Sequence, residues 1–439
     1  MVTRLLTKMK KKINGINQDW YRLDNAAKIY PAMVSRRNSC VFRFAINLKE
    51  EVDPYVLQRA LLDMRNRFPA MFVRVRHGVF WYYLEENKKM PRVRPEDSRI
   101  NKAIDYYSNN YFRFTVFYYE NRISLEVFHS LTDGTGAVTF LKALAYRYLE
   151  LKGHKLESEG LVLTVDQDPS IEELEDSFFK YATMNPHKRF VVPTPFSIRD
   201  ARFPSSQGRG VINARLDSDA FYALAKKHDA TVTEYLSALL TQAVYQVYGD
   251  KMIKNDRVNI CIPINLRRLF PSDSLRNFTL FFHTTVIDKN HLEIADILPQ
   301  VKKSFSEGLT KESIIENINV NMQAERNMAM RLTPLFLKKP AMTIAGTMYG
   351  GRLNTLTMSN IGIVQLPESM AEHVKDFEFN LSNDINCAYG IGVITFNNVM
   401  TISILREVRD TFLPMQFLRN LVNLGLAVEV ESNYWEEVA

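Results

Sequence analysis

Val127-Phe128-His129-Ser130-Leu131-Thr132-Asp133-Gly134-Thr135-Gly136 contains an H-x-x-x-D-G set between a predicted strand and a predicted helix. Residues 111–119 and 122–128 alternate or run apolar on either side of Glu120-Asn121, as a hairpin does. Residues 136–150 then carry apolar side chains at helical spacing. His129 therefore falls at a strand end, where a loop presents it to a cleft. A hydroxyl or amine is a poor nucleophile at neutral pH unless a base takes its proton, and an imidazole with a pKa of about 6.5 suits that task. Asp133 fits an orienting role, bent back onto an arginine. Gly134 is expected to hold backbone angles that a side chain forbids. The plainer alternative is a histidine ending a strand and an aspartate capping the next helix.

Outward from this stretch, helices and strands alternate in the manner of mixed sheets covered by helices. Residues 40–48 read as a strand. Asp53-Pro54 opens a helix with an oxygen-bearing cap and a proline at its first position; Val56, Leu57, Ala60, Leu61 and Met64 form its apolar face. Residues 70–76 and 79–85 form a hairpin about His77-Gly78, which makes His77 a structural turn residue. From about 151 to 210 the periodicity fails among Pro169, Pro186, Pro193, Pro195 and Pro204, as in a crossover between domains. Beyond it come a strand at 211–216, helices near 217–228 and 232–248, and strands near 257–263 and 279–288. Two long helical stretches follow near 292–307 and 312–338. Strands near 354–359, 374–380, 390–396 and 399–405 lead to a terminal helix from about Pro414. The expected division is a basic N-terminal arm (1–18), an N-terminal subdomain (19–165), a crossover linker (166–210) and a C-terminal subdomain (211–439).

Composition narrows the function classes. With 439 residues, 46% hydrophobic and 24% charged, the chain can bury a large core, and no run approaches the roughly 18 apolar residues of a membrane span. The first hydrophobic residues are broken by Lys8, Lys10, Lys11 and Lys12, so no signal-peptide core is expected and a cytoplasmic location is. The net charge of +7 is concentrated in Arg4 and those lysines. Such an arm is compatible with weak contact to an anionic membrane surface, or with a merely solvated end. No nucleic-acid module is visible. Cys40, Cys261 and Cys387 are too few and too scattered for a disulfide framework or a metal site, and read as ordinary semi-buried thiols. There is no H-E-x-x-H, no phosphate-cradling glycine loop and no G-x-S-x-G elbow, so no metal and no acyl-serine intermediate is expected.

The segment HSLTDGTGAVTFLKALAYRYLELKG (129–153) resembles the active-site loop and helix of the chloramphenicol acetyltransferase-like superfamily, above all its alcohol acetyltransferase branch. Three further stretches are similar to that branch in matching order. They are WYRLDNAAKIYP (20–31), IPINLRRLFP (262–271) followed by Asn277-Phe278, and Thr357-Met358-Ser359-Asn360-Ile361-Gly362. The resemblance implies an α+β fold of two chloramphenicol acetyltransferase-like αβ domains, with mixed sheets, helices and an active-site tunnel between them. It implies His129 as general base, and Asp133 turned away from the substrate into a salt bridge with Arg267, Arg268 being the alternative partner. Ser359 and Asn360 are the implied oxyanion or acyl-site residues.

The implied reaction is transfer of an acyl group, acetyl before longer chains, from coenzyme A to a hydroxyl-bearing small molecule or lipid. Acyl-coenzyme A is then a co-substrate, and no cofactor is bound. Lys338-Lys339 and Arg267-Arg268 are candidate cations for its phosphates. The alternative is a condensation-type enzyme taking its acyl thioester from an acyl carrier protein to form an ester or amide. Two departures from other branches matter. Peptide-forming condensation domains generally carry two consecutive histidines, whereas Phe128 precedes His129. Plant acyltransferases carry D-F-G-W-G, whereas the nearest stretch here is Asp376-Phe377-Glu378-Phe379-Asn380.

Overall fold

The computed structural model describes residues 20–35, 38–97, 99–183, 192–204, 208–349, 351–382 and 387–433, with backbone alone at 324, 345–349 and 351. The expected basic arm lies outside the described residues, as do parts of the expected crossover. Two sheets carry the architecture. The first has five strands in the order Val374–Asn380, Val41–Leu48, Arg122–Phe128, Phe114–Tyr119 and Val93–Pro95. The second has seven: Thr279–Val286, Val258–Asn265, Leu356–Ile363, Tyr389–Phe396, Val399–Arg406, Gly210–Asp217 and Glu429–Ser432. Both are mixed. Leu356–Ile363 runs parallel to both its neighbours, and Val93–Pro95 is parallel to Phe114–Tyr119. A three-stranded sheet joins Trp20–Arg22, Tyr82–Glu86 and Val73–His77.

Each large sheet has its own core because its strands present one apolar face to helices. Phe42, Phe44, Ile46 and Leu48 pack with Leu57 and Leu61 of Pro54–Asp63 and with Phe140, Leu141 and Leu144 of Gly134–Leu151. Phe44 lies directly opposite Phe379 in the strand ladder, their rings stacked at 4.3 Å. Such a pair adds roughly 0.5–1.5 kcal/mol to the burial of the two rings. Asp53 caps its helix as its sequence demands, Oδ1 accepting from the backbone N–H groups of Tyr55 and Val56 at 2.8 and 3.2 Å. In the second core, Val232–Tyr248, Ile294–Gly308 and Phe412–Asn423 supply buried residues such as Leu239, Val301 and Phe417 beneath the seven-stranded sheet. Among the described residues no helix is long and apolar enough to cross a membrane.

The other face of the first sheet is polar, and it is buried as well. Arg215 of the second sheet reaches Asp376 and Glu378 of the first at 2.9 and 3.0 Å, and Asn47 donates to Glu378 at 3.0 Å. These groups alternate with Phe377 and Phe379 along one strand, so the period of two sends charges to the seam between sheets and rings to the core. That strand belongs to the first sheet although it comes late in the chain. A division at 211 does not anticipate this exchange.

Other expected elements differ locally. The strand expected from 111 begins at Phe114, since Asn110 and Tyr111 have φ of 51° and 67°, outside any strand. His77 is the last residue of Val73–His77, paired with Tyr82, and not part of the turn, which Gly78 to Trp81 form. The helix expected over 312–338 is three: Lys311–Arg326, Met328–Leu332 and Leu335–Tyr349. Asn327 leaves helical angles and caps the second with its side chain, and Pro334 forces Thr333 out of the helical region.

Candidate active site

His129 follows directly on the strand Arg122–Phe128, its backbone N–H bonded to the Cys40 carbonyl at 2.9 Å. Its ring is stacked on Tyr30 at 4.5 Å and meets the Phe42 ring edge-on at 4.9 Å, which fixes the plane of the imidazole. Nδ1 lies 2.9 Å from Asn277 Oδ1, while Asn277 Nδ2 donates to Asp24 Oδ2 at 3.1 Å. Asp24 is fully buried and also accepts from the Ala27 N–H at 2.7 Å, with Arg276 3.6 Å away. Because the carboxylate takes the amide's N–H, Asn277 has only its oxygen to offer His129, so Nδ1 carries the proton and Nε2 keeps a free lone pair. Burial lowers the His129 pKa, against the opposing pull of a hydrogen bond to its own backbone, Asp133, Asn277 and Asp24, and favours this neutral form. Burial likewise raises the Asp24 pKa, opposed chiefly by Arg276.

Asp133 is spent on structure. Oδ1 caps the helix Gly134–Leu151 through the N–H groups of Thr135 and Gly136 at 3.1 and 3.3 Å. Oδ2 accepts from Arg267 Nη1 at 2.8 Å, from the Phe278 N–H at 2.8 Å and from Thr279 Oγ1 at 3.1 Å. Arg267 in turn donates to the carbonyls of Ser274 and Arg276 at 2.8 and 2.5 Å. The pair thereby ties the His129 loop to the stretch that carries Asn277. Both readings of Asp133, as helix cap and as arginine partner, describe the same carboxylate.

Gly134 does not have the unusual backbone expected of it: its φ is not positive, and it is the first residue of the helix. What it leaves is room, since a Cβ there would sit 2.9 Å from Ile361 Cδ1. The tighter position is Gly136, where a Cβ would lie 2.2 Å from the Leu275 carbonyl oxygen and 2.1 Å from Thr132 Oγ1.

A cavity of about 990 Å³ lies between the two cores and is lined by His129, Gly134, Ser359, Asn360 and Arg268 together. Along Leu356–Ile363, Leu356 and Met358 enter the second core while Thr357 and Ser359 line the cavity. A bulge between Asn360 and Gly362 then adds Asn360 to the lining. Gly362 has φ +85°, and Asn360 Oδ1 accepts its N–H at 2.9 Å while Asn360 Nδ2 donates to Thr233 at 3.1 Å. Asn360 is thus engaged at both ends. The Ser359 hydroxyl has no partner among the described residues. All three cysteines are buried rather than semi-buried, and Cys40 and Cys261 line the cavity.

Of the four candidate phosphate cations, two are committed elsewhere. Arg267 is held by Asp133, and Lys338 is buried with Nζ 3.6 Å from the Trp81 ring centroid. Arg268 is exposed at the cavity and makes no ion pair among the described residues. Asp24, Tyr30 and Asn277 lie in stretches that carry the resemblance, but their sequence does not indicate that Tyr30 and Asn277 meet His129 or that Asp24 backs Asn277. Among the described residues no cluster of three or more His, Cys, Asp or Glu suits a metal.

The alcohol acetyltransferase family model matches residues 219–412, a stretch that does not include His129. No curated protein matches the sequence. Among solved structures, polyketide synthase associated protein 5 from Mycobacterium tuberculosis aligns at 12% identity over 92% of this chain and 97% of its own, with a TM-score of 0.57. Trichothecene 15-O-acetyltransferase from Fusarium sporotrichioides aligns at 12% over 92% and 94%, TM-score 0.59. F. graminearum TRI101, solved with coenzyme A and deoxynivalenol, aligns at 10% over 92% and 97%, TM-score 0.59. At these identities the structural likeness is one of fold. Over residues 219–412 the chain matches the alcohol acetyltransferase family model, and over 92% of its length it shares the fold of these solved structures.

Proposed function

We propose that the chain is an acyltransferase that moves an acyl group from coenzyme A to a hydroxyl acceptor, with His129 as general base. The observation that carries this reading is the free Nε2 of an imidazole whose proton is held on Nδ1 by Asn277, at a cavity of about 990 Å³. Nε2 takes the proton of the acceptor hydroxyl as its oxygen attacks the thioester carbonyl. The carbonyl oxygen becomes an oxyanion, for which the unpartnered Ser359 hydroxyl is the donor the lining supplies. Collapse expels the thiolate, which takes the proton back from Nε2, so the imidazole returns to its starting form. Acceptor and donor enter from opposite mouths of the cavity, and Arg268 meets a donor phosphate.

The test is thiol release from acetyl-, butyryl- and palmitoyl-coenzyme A with a panel of alcohols and amines, for the wild type and His129→Ala. Acceptor-dependent release that falls roughly 10²-fold or more in the variant supports the reading. Equal rates in both proteins refute it. Release only from a carrier-bound acyl group replaces coenzyme A by a carrier protein as donor.

A further inference from the structure

Between Glu325 and Glu368 the chain has no acidic residue, yet it carries Arg326, Arg331, Lys338, Lys339 and Arg352. This stretch forms the helices Met328–Leu332 and Leu335–Tyr349, and both expose large apolar side chains. Phe336 is 73% exposed, and Met328, Leu332, Leu337 and Ile344 are exposed with it. The turn of the hairpin Val73–Glu86 extends the patch: the Leu335 N–H bonds the Val79 carbonyl at 2.8 Å, and the Val79 side chain is 71% exposed. Arg331 and Lys339 stand exposed among these residues. The same elements reach inward, since Met330, Met342 and Trp81 line the cavity that holds His129.

Large exposed side chains in a stretch that has cations and no acidic residue fit an anionic lipid surface: the apolar groups enter the headgroup and acyl boundary while the cations meet phosphate. We infer that Met328–Leu332, Leu335–Tyr349 and the Val79 turn dock the protein on an anionic membrane, with the cavity mouth held against the lipid. An acidic acyl carrier protein would meet the cations but leave Phe336, Leu337, Leu332 and Ile344 unexplained. In combination with the proposed acyl transfer, the acceptor is then a membrane-borne hydroxyl compound. Docking itself is read without turnover, so failure of one idea is distinguishable from failure of the other.

Flotation of the full chain with phosphatidylcholine–phosphatidylglycerol vesicles, against phosphatidylcholine alone, tests it. The wild type is expected to float with the anionic vesicles. Phe336→Ser/Leu337→Ser and, separately, Arg331→Glu/Lys339→Glu are expected to lower the partition coefficient about tenfold or more. All four positions are exposed, so both variants should melt with the wild type. A wild type that stays with the pellet overturns the inference. So does undiminished flotation of both variants, which would move attachment to another region such as residues 1–18. Capture of an acidic acyl carrier protein through the same four residues, without vesicle binding, overturns it as well.

Discussion

Asn277 Oδ1 accepts a hydrogen bond from His129 Nδ1 across 2.9 Å and its amide nitrogen donates to Asp24, so a residue 148 positions further along the chain sets the tautomer of the imidazole. The arrangement has the logic of an outer-sphere partner that orients a reactive ring. With Phe128 in the preceding position, the ring is held by Tyr30, Phe42 and Asn277.

Asn277→Leu should lower kcat about 10- to 100-fold with KM for both substrates little changed, because ring orientation is lost and substrate contacts are not. Steady-state kinetics with both substrates varied measure the split; a loss confined to KM would contradict the assignment. In the wild type the acid limb of kcat/KM should lie below the ordinary imidazole value of about 6.5. Burial depresses the His129 pKa, so the base form persists as pH falls past that value and is lost only at the lowered pKa. A limb above 6.5 would show that the opposing charges of Asp133 and Asp24 outweigh burial.

Removing either member of the Asp133–Arg267 pair leaves a buried charge with vacant partners, and Asp133→Ala or Arg267→Met should cost about 3–5 kcal/mol in chemical denaturation. Arg267→Lys should recover only part of this. One ammonium cannot serve Asp133, Ser274 and Arg276 in their present directions. Full recovery by lysine would mean that charge alone matters at this position.

The two motif glycines should separate in thermal melts. At Gly136 the added carbon meets a backbone carbonyl, and Gly136→Ala should destabilise by about 3 kcal/mol or more. At Gly134 it meets the flexible end of Ile361, and Gly134→Ala should cost about 1–2 kcal/mol, recovered by Ile361→Val, which removes Cδ1. Equal melts for the two alanine variants would exclude this account.

What was legible in the sequence was local. Gly134–Leu151 and Pro54–Asp63 announce themselves by apolar spacing and cap, and the Asp133–Arg267 pair lies between two stretches read together through resemblance. Placement between distant segments was not legible. Val374–Asn380 reads as a strand, but nothing in DFEFN says that it joins Val41–Leu48, because the partners of Asp376 and Glu378 (Asn47, Arg122 and Arg215) all lie far away in the sequence. Asn277 and Asp24 sat in quoted stretches, yet a histidine's hydrogen-bond partner has no fixed offset in sequence. The breaks at Asn327 and Pro334 carried cap and proline signals that helical periodicity alone passes over.

Ser359 and Asn360 entered as equal candidates, and their surroundings divide them. Asn360 donates to Thr233 and accepts from Gly362, so Asn360→Ala should chiefly loosen the bulge, costing about 1 kcal/mol per lost bond, with activity following stability. Ser359 lines the cavity with a hydroxyl that no described residue takes, and Ser359→Ala should melt as the wild type does while kcat falls about 10²-fold. Ser359→Thr should keep part of the rate, since its hydroxyl remains on Cβ, and single-turnover acyl transfer would assign the loss to the chemical step. Wild-type kcat in Ser359→Ala would instead direct the search for the oxyanion donor to backbone N–H groups along the bulge at Asn360 and Gly362.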